Sequence, residues 1–300
     1  MTKAERTSAA TTLSGAKLQL VGAGLIVLST IAIAIVPSLA KLAYDGGSNT
    51  LSVITGRSVF SVVMTFLLAI ALRQPLVIAK TPLLIGLSMG AGYAVILYGY
   101  LGAVNYLPVN LVILIYFIHP LLVGLIVMIL GQERLTVISV GALSLALLGL
   151  GLALGLSLGD LNWTGVALAT VSMVVTAIVI VGNSRALREA PALSIGFYMM
   201  LSAAVVLTVL FLAFGTLALP NTRLAWVGFA GVAVAATGGT LAFLCGMVYV
   251  GAARAAMISN LEPVIGVLFA LAVLGERVTL LQGLGIAMVI AAIFLMEWRR

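Results

Sequence analysis

Charged side chains are scarce in this 300-residue chain, since Asp, Glu, Lys and Arg make up 8% of it and hydrophobic residues 63%. Soluble proteins carry about 25% charged residues, which cover their water-exposed surface. The shortage of charge therefore excludes a soluble enzyme, a disordered chain and a nucleic-acid-binding domain. The formal net charge of +7 is instead interpreted as a signal of membrane topology. The expected partner is a lipid bilayer, and no nucleic-acid partner is expected.

Residue types that build common chemical sites are also lacking. The chain has one cysteine, Cys245, and one histidine, His119, so we expect no intrachain disulfide and no metal site. No glycine-rich phosphate-binding loop is present, which excludes ATP as the direct energy source, and we expect no cofactor. The apolar runs contain neither paired aspartates nor a His-Glu-x-x-His pattern, as an intramembrane enzyme would need.

Long apolar runs are what the sequence has in abundance. Ten stretches of about 20 residues are each apolar enough to cross a bilayer as a helix. They lie at 18–40, 50–72, 82–102, 108–130, 135–157, 163–184, 192–215, 223–246, 254–274 and 278–297. None shows the alternating pattern of a barrel strand. The sequence predicts an all-α membrane protein with ten transmembrane helices, preceded by a short cytoplasmic N-terminal tail at 1–17.

The distribution of Lys and Arg predicts the orientation of these helices. With the N-terminus inside, the cytoplasmic positions are Lys3, Arg6, Lys17, Arg73, Lys80, Arg134, Arg185, Arg188, Arg254, Arg299 and Arg300. The outer positions then hold only Lys41, Arg223 and Arg277. Because cytoplasmic loops are enriched in positive charge, both termini are predicted to be cytoplasmic.

The sequence repeats itself with an offset of 143 residues, which pairs Pro120 with Pro263 and Glu133 with Glu276. Nearer the start of each repeat a similar offset, of 142, pairs Leu51-Ser52 with Leu193-Ser194 and Arg57 with Met199. The first repeat spans 18–157 and the second 163–297, and each holds five predicted helices. An odd number of helices makes the second copy enter the membrane from the opposite side. The two halves are therefore predicted to be inverted repeats, an architecture typical of transporters that work by alternating access.

The motif carried by this repeat resembles a known family. Asn260-Leu-Glu-Pro263, followed by Leu274-Gly-Glu-Arg277 and a glycine-rich last helix, resembles the EamA family of the drug/metabolite transporter superfamily. The first-half copy, His119-Pro120 with Gly131-Gln-Glu-Arg134, fits the same motif but has no acid before its proline. The resemblance implies a secondary transporter that exports metabolites across the bacterial inner (cytoplasmic) membrane. In length and in its tyrosine-rich third and fourth helices the chain is similar to bacterial amino-acid exporters, including the aromatic amino-acid exporter.

Three ionisable side chains, Arg57, His119 and Glu262, fall inside predicted spans, where charge is costly and marks candidate functional sites. Glu262 either binds an amine or a proton in a cavity, or is a structural acid bonded to backbone groups freed by the helix kink at Pro263. His119 either carries a proton or stays neutral beside the kink at Pro120. Arg57 binds a substrate carboxylate or serves as a structural partner.

Aromatic and polar residues complete the predicted substrate cavity. Tyr93 and Tyr100 share a helix face, and their rings can stack on a flat or apolar side chain. With His119 and Glu262, the other candidates are Tyr98, Tyr116, Asn183, Tyr198, Met199, Thr237, Ser259 and Asn260. For each of these taken singly, helix packing is the alternative role.

The leading hypothesis is a secondary transporter that exports small metabolites, above all amino acids, by alternating access. The alternatives are a broad-specificity drug or cation exporter and, in a different class, an intramembrane enzyme. Proton coupling through Glu262 or His119 stays open. So does the choice between a monomer and a weak homodimer, since glycine-rich helices pack either within a monomer or between copies.

Overall fold

Helices form all the regular structure in the residues that the computed structural model describes, which are 3–103, 106–107, 109–131, 136–153, 162–265 and 279–297. They are α1 (Lys3–Ala34), α2 (Val36–Asp45), α3 (Thr50–Ala71), α4 (Lys80–Ala103), α5 (Val109–Tyr116), α6 (His119–Ile129), α7 (Val137–Ala153), α8 (Trp163–Ala186), α9 (Ala192–Phe214), α10 (Arg223–Val250), α11 (Ala252–Ile258) and α12 (Leu280–Glu297). Residues 261–265 are also helical. The Gln-Glu-Arg134 and Leu274–Arg277 parts of the repeated motif lie outside the described residues.

Six stretches of the described helices are long and apolar enough to cross a membrane: Lys17–Ala34, Thr50–Ala71, Lys80–Tyr100, Trp163–Ala186, Ala192–Phe214 and Arg223–Val250. Each lies on one of the predicted spans. The first helix begins earlier than the predicted span, because residues 3–17 are also helical. This segment contains no proline and is rich in Ala, with Lys, Glu and Arg, which favour helix.

Three predicted spans are interrupted helices. The first breaks at Ile35, between α1 and α2, where Pro37 stands in the first turn of α2; the sequence interpretation did not include this break. The other two precede Pro120 and Pro263: α5 ends at Tyr116 and α6 begins at His119, while α11 ends at Ile258 and helix resumes at residue 261. A proline cannot donate a backbone hydrogen bond, so each helix restarts with its proline in the first turn.

Small residues let the helices approach one another closely. α4 packs against α8 and α9, and α10 packs against α1, α2 and α3, while α7 and α12 pair with each other. A Cβ added at Gly90 of α4 would collide with the Met199 carbonyl oxygen of α9. In the α7–α12 pair a Cβ at Gly149 would lie 2.7 Å from the Gly285 carbonyl oxygen.

The antiparallel helices α3 and α9 are tied together where α3 begins. Asn49 caps α3 through its side-chain oxygen, and its Nδ2 donates to the carbonyl oxygen of Thr216, just after α9, at 2.7 Å. The backbone N–H of Ala218 donates to Ser52 Oγ at 3.0 Å. The loop that follows α9 is therefore held on the first turn of α3.

A matching tie holds the other end of the pair, where α9 begins. Ser194 Oγ donates to the Pro75 carbonyl oxygen at 2.6 Å, and the Tyr198 hydroxyl donates to the Leu76 carbonyl oxygen at 2.8 Å. These hydrogen bonds hold the loop that follows α3 on the first two turns of α9. The two ties use equivalent positions, since Ser52 and Ser194 are counterparts in the repeat.

Candidate substrate-binding site

The interruption before Pro120, between α5 and α6, is called the first interruption from here on, and it is filled by its own side chains. His119 is 3% exposed, and its Nδ1 lies 2.9 Å from the carbonyl oxygen of Tyr116. Because a carbonyl oxygen only accepts, this contact requires the proton on Nδ1. The imidazole also packs against the rings of Tyr116 and Phe117, with centroid distances of 5.1 Å and 5.7 Å. His119 thus satisfies a carbonyl group that the broken helix leaves free.

The second interruption, between α11 and residue 261, carries the carboxylate of Glu262. Its backbone N–H donates to the Ser259 carbonyl oxygen at 2.9 Å, which closes the turn. The side chain is half-buried and lies near Tyr100 and Tyr116. Among the described residues, no hydrogen bond or ion pair to the Glu262 carboxylate is present. A carboxylate in such surroundings can accept a proton or bind a cationic group.

Tyrosine rings connect these two interruptions. Tyr100 of α4 and Tyr116 at the end of α5 meet edge to face, with ring centroids 4.9 Å apart. Tyr116 lies near Thr176 of α8 and near Tyr93, and both tyrosines pack against the same core of buried residues. Edge-to-face rings present flat apolar surfaces on which an aromatic or aliphatic group can pack.

Arg57 of α3 adjoins these tyrosines through its contact with Tyr93. Its Nη2 donates to the hydroxyl oxygen of Tyr93 at 2.8 Å, and its Cζ lies 5.8 Å from the centroid of the Tyr93 ring. Arg57 is 9% exposed. Tyr93 therefore joins a buried cation to the remaining tyrosines.

Together these residues form a polar aromatic cluster, defined as Arg57, Tyr93, Tyr100, Tyr116, His119 and Glu262. It draws on α3, α4, α5, α6 and the turn before Pro263, and so on both halves of the chain. The cluster combines a guanidinium group, three tyrosine rings and a carboxylate. These groups can bind a small molecule that carries an anionic group, a cationic group and an apolar body.

The structure places Tyr98 apart from the cluster. Five residues after Tyr93, it is rotated by about 140° around the helix. It is 58% exposed and lies on the same face of α4 as Leu84 and Val95, which are 60% and 44% exposed. This is the outward, apolar face of the helix, suited to lipid.

Three further candidates are engaged in helix packing. Tyr198 is bonded to the loop after α3, as described above. Asn183 of α8 is 3% exposed and donates through Nδ2 to Met199 Sδ of α9 at 3.1 Å. Its Oδ1 is buried without a partner among the described residues. Met199, 2% exposed, is the repeat counterpart of Arg57.

The remaining candidates lie in or near the second interruption and at the α3–α10 contact. The Thr237 and Ser61 hydroxyls are 2.6 Å apart between α10 and α3. Ser259 Oγ donates to the Ala256 carbonyl oxygen at 2.6 Å. Asn260 is 5% exposed, and in the described part of the chain its Oδ1 has no hydrogen-bond partner. Ser259 and Asn260 therefore adjoin the cluster, whereas Thr237 joins two helices.

Two residues of the cluster's surroundings were not among the sequence candidates. Thr176 lies near Tyr116, and Phe117, 3% exposed, packs on His119. A signal for Thr176 was available, because it follows Ser172 by four residues and gives the apolar helix α8 a polar stripe. Nothing in the sequence distinguishes Phe117 from other apolar residues. In the described ranges no three His, Cys, Asp or Glu side chains lie together.

Comparisons with known proteins match this architecture. Residues 163–298 match the EamA-like transporter family. The chain also matches 29 chains of known structure. One of these, a protein solved by crystallography, is 16% identical with a TM-score of 0.79, and the alignment covers 94% of this chain and 98% of that one. Similarity at this level of identity establishes a shared fold alone. None of the curated proteins matches the chain.

Proposed function

We propose that the protein is a multi-pass membrane transporter of small solutes that exports amino acids, and the match of residues 163–298 to the EamA-like transporter family supports this proposal. Aromatic and other amphipathic amino acids are the substrates that fit the cluster best. The membrane is the bacterial inner membrane, with both termini cytoplasmic, as the excess of Lys and Arg at the cytoplasmic positions favours.

The observation that carries this proposal is the combination of groups in the polar aromatic cluster, which are a guanidinium group, tyrosine rings and a carboxylate. An amino acid has a carboxylate and an ammonium group on one carbon and a side chain beyond them. Arg57 suits the carboxylate, Glu262 suits the ammonium group, and the rings of Tyr93, Tyr100 and Tyr116 suit an apolar side chain. A lipophilic drug cation would use Glu262 and the rings but would leave Arg57 without an anionic partner.

The mechanism that fits this site is alternating access between two inverted five-helix repeats. Two features that recur in both halves support it. Helix interruptions precede both Pro120 and Pro263, and the packing of α4 on α8 has its counterpart in the packing of α10 on α1. Both halves contribute to the cluster. Motion of one half against the other would therefore open the cluster to one side of the membrane at a time.

The energy source is an ion or substrate gradient, because the sequence holds no nucleotide-binding loop. Glu262 is the stronger candidate for a proton carrier, since its carboxylate has no hydrogen-bond partner in the described part of the chain. His119 is the weaker one, because its Nδ1 proton is held by the Tyr116 carbonyl oxygen. Substrate binding and proton binding at Glu262 would then compete, as exchange requires.

The test is counterflow in proteoliposomes loaded with single unlabelled amino acids and given the radiolabelled one outside. We expect counterflow of an aromatic amino acid, its stimulation by an imposed pH gradient, and loss of both in Glu262→Gln. Tyr98→Phe is the matched control, because Tyr98 faces outward. Flux of a lipophilic cation without flux of any amino acid would contradict the proposal and support a drug exporter.

A further inference from the structure

Arg57 is a buried basic side chain within the membrane-spanning helix α3. Arg57 lies seven residues after the start of α3, about 10 Å along the helix axis. It is 9% exposed, and its guanidinium group is directed to Tyr93 of α4. A long basic side chain can reach the interface when it lies near the end of a span. The 2.8 Å bond to Tyr93 instead holds this one between helices.

The contacts of Arg57 are with neutral groups. Tyr93 accepts one hydrogen bond from Nη2, and its ring lies beside the guanidinium. Asp45, Glu189 and Glu262 are the acidic residues whose side chains the structure describes, and none of them forms an ion pair with Arg57. A buried guanidinium bonded to a phenol is thus a cation without an anion in the described part of the chain.

An arrangement of this kind is costly for stability alone. A charge within the membrane is unfavourable unless a counter-charge or several dipoles compensate it. The guanidinium group has five N–H donors in a planar fork that matches a carboxylate through two parallel hydrogen bonds. One phenol uses one of these donors, so the group retains the capacity to bind an anion.

The second half of the chain does not duplicate this feature. The repeat counterpart of Arg57 is Met199, which is 2% exposed and accepts a hydrogen bond from Asn183. A structural requirement of the fold would be met in the same way in both halves. The cation is instead present once, as expected for a site that binds one anionic group per molecule.

We propose that Arg57 binds the carboxylate of the transported substrate and that Tyr93 is the ligand it holds when no substrate is bound. The inference rests on the proposed function and makes it more specific, since it assigns Tyr93 as the side chain that the substrate carboxylate displaces from Arg57. Tyr93 keeps the guanidinium extended toward the cluster, and the substrate carboxylate takes over the donors as it binds.

The experiment compares phenylalanine with 2-phenylethylamine, which lacks only the carboxylate, in proteoliposome counterflow. The wild-type protein is expected to favour phenylalanine by about tenfold or more, and Arg57→Gln to lose most of this preference. Arg57→Lys keeps the charge without the fork and is expected to retain part of it. Arg223→Gln, at an exposed arginine that begins α10, is the matched control and should leave the preference unchanged.

Because Arg57→Gln can fail to fold, Tyr93→Phe provides a second measurement. It keeps the guanidinium but removes its neutral ligand, so the preference for phenylalanine should be retained or increased. Unchanged preference in folded Arg57→Gln or Arg57→Lys, or a loss of it in Tyr93→Phe, would overturn the assignment while amino-acid transport stands. Absence of all amino-acid counterflow in the wild-type protein would instead contradict the proposed function.

Discussion

The two helix interruptions use the same backbone device but differ in the side chain that precedes the proline. In the first half His119 is almost fully buried and bonded to the Tyr116 carbonyl oxygen. In the second half Glu262 is half-buried near Tyr100 and Tyr116, and in the described part of the chain its carboxylate has no hydrogen bond or ion pair. The first interruption is internally satisfied, whereas the second retains an unused charged group. Equivalent positions in a repeat can therefore share a fold while one of them carries the chemistry.

The largest effect on transport is expected when the two side chains before the prolines are replaced, one at a time, by glutamine. Glu262→Gln removes a charged acceptor for the substrate ammonium group, so amino-acid counterflow should fall by about tenfold to a hundredfold. His119→Gln keeps a side chain that can hydrogen-bond the Tyr116 carbonyl oxygen, and counterflow should stay within about threefold of wild type. Initial rates of counterflow, recorded with and without a pH gradient, measure the effect of each substitution.

Equal effects of the two substitutions on transport would contradict the different roles given to His119 and Glu262. Each variant must first elute as a monodisperse species in detergent, so that a folding defect is not mistaken for a loss of binding. Loss of the pH-gradient effect in His119→Gln, with its retention in Glu262→Gln, would instead identify His119 as the proton carrier.

The next effect is expected from the prolines themselves. Pro263→Ala permits α11 to continue through residues 259–260 and would move Glu262, so counterflow should fall by about tenfold. Pro120→Ala should reduce it less, because the bond from His119 to Tyr116 still favours the interruption. Counterflow at saturating substrate and at low substrate, measured for both variants, separates misplaced binding groups from slowed motion. A larger loss in Pro120→Ala would show that the first interruption matters more.

A smaller effect is expected for the tyrosine that links the two interruptions. Tyr116→Phe removes the hydroxyl but keeps the ring beside Tyr100 and His119. Substrate affinity should weaken by about threefold to tenfold, as for the loss of one hydrogen bond to the substrate. Half-saturation constants for counterflow measure this. Equal constants in Tyr116→Phe and the outward-facing Tyr98→Phe would remove Tyr116 from the site.

The smallest effect is expected for Ser259, the repeat counterpart of Tyr116. Ser259→Ala removes the bond from Oγ to the Ala256 carbonyl oxygen and should lower the free energy of unfolding by about 1 kcal/mol. The first interruption satisfies its backbone through His119 instead, so His119→Ala is the matched change there. Thermal stability in detergent, with substrate preference as the second readout, distinguishes a structural bond from a substrate contact. A changed preference in Ser259→Ala would mean that the hydroxyl touches the substrate.

The path of the chain was easier to predict from the sequence than the inward faces of its helices. Length and hydropathy located the six long helices, because a bilayer imposes a minimum apolar length. They did not separate Tyr93 from Tyr98, since helices that are apolar on all sides carry no periodic signal of which face is inside. The break before Pro37 was missed because no ionisable residue drew attention to that proline. The partners of Tyr198 and Asn183 depend on contacts between distant segments, which spacing does not reveal.

The ties at the two ends of α3 and α9 have a consequence for the order of events in transport. Asn49 and Ser52 hold one end and Ser194 and Tyr198 the other, and each tie joins the first half of the chain to the second. Parting these helices at one end breaks only the hydrogen bonds there and leaves the opposite end as a pivot. Under the proposed alternating-access mechanism, each opening would have its own activation barrier, and the relative strengths of the two ties would bias which side of the membrane the empty protein faces.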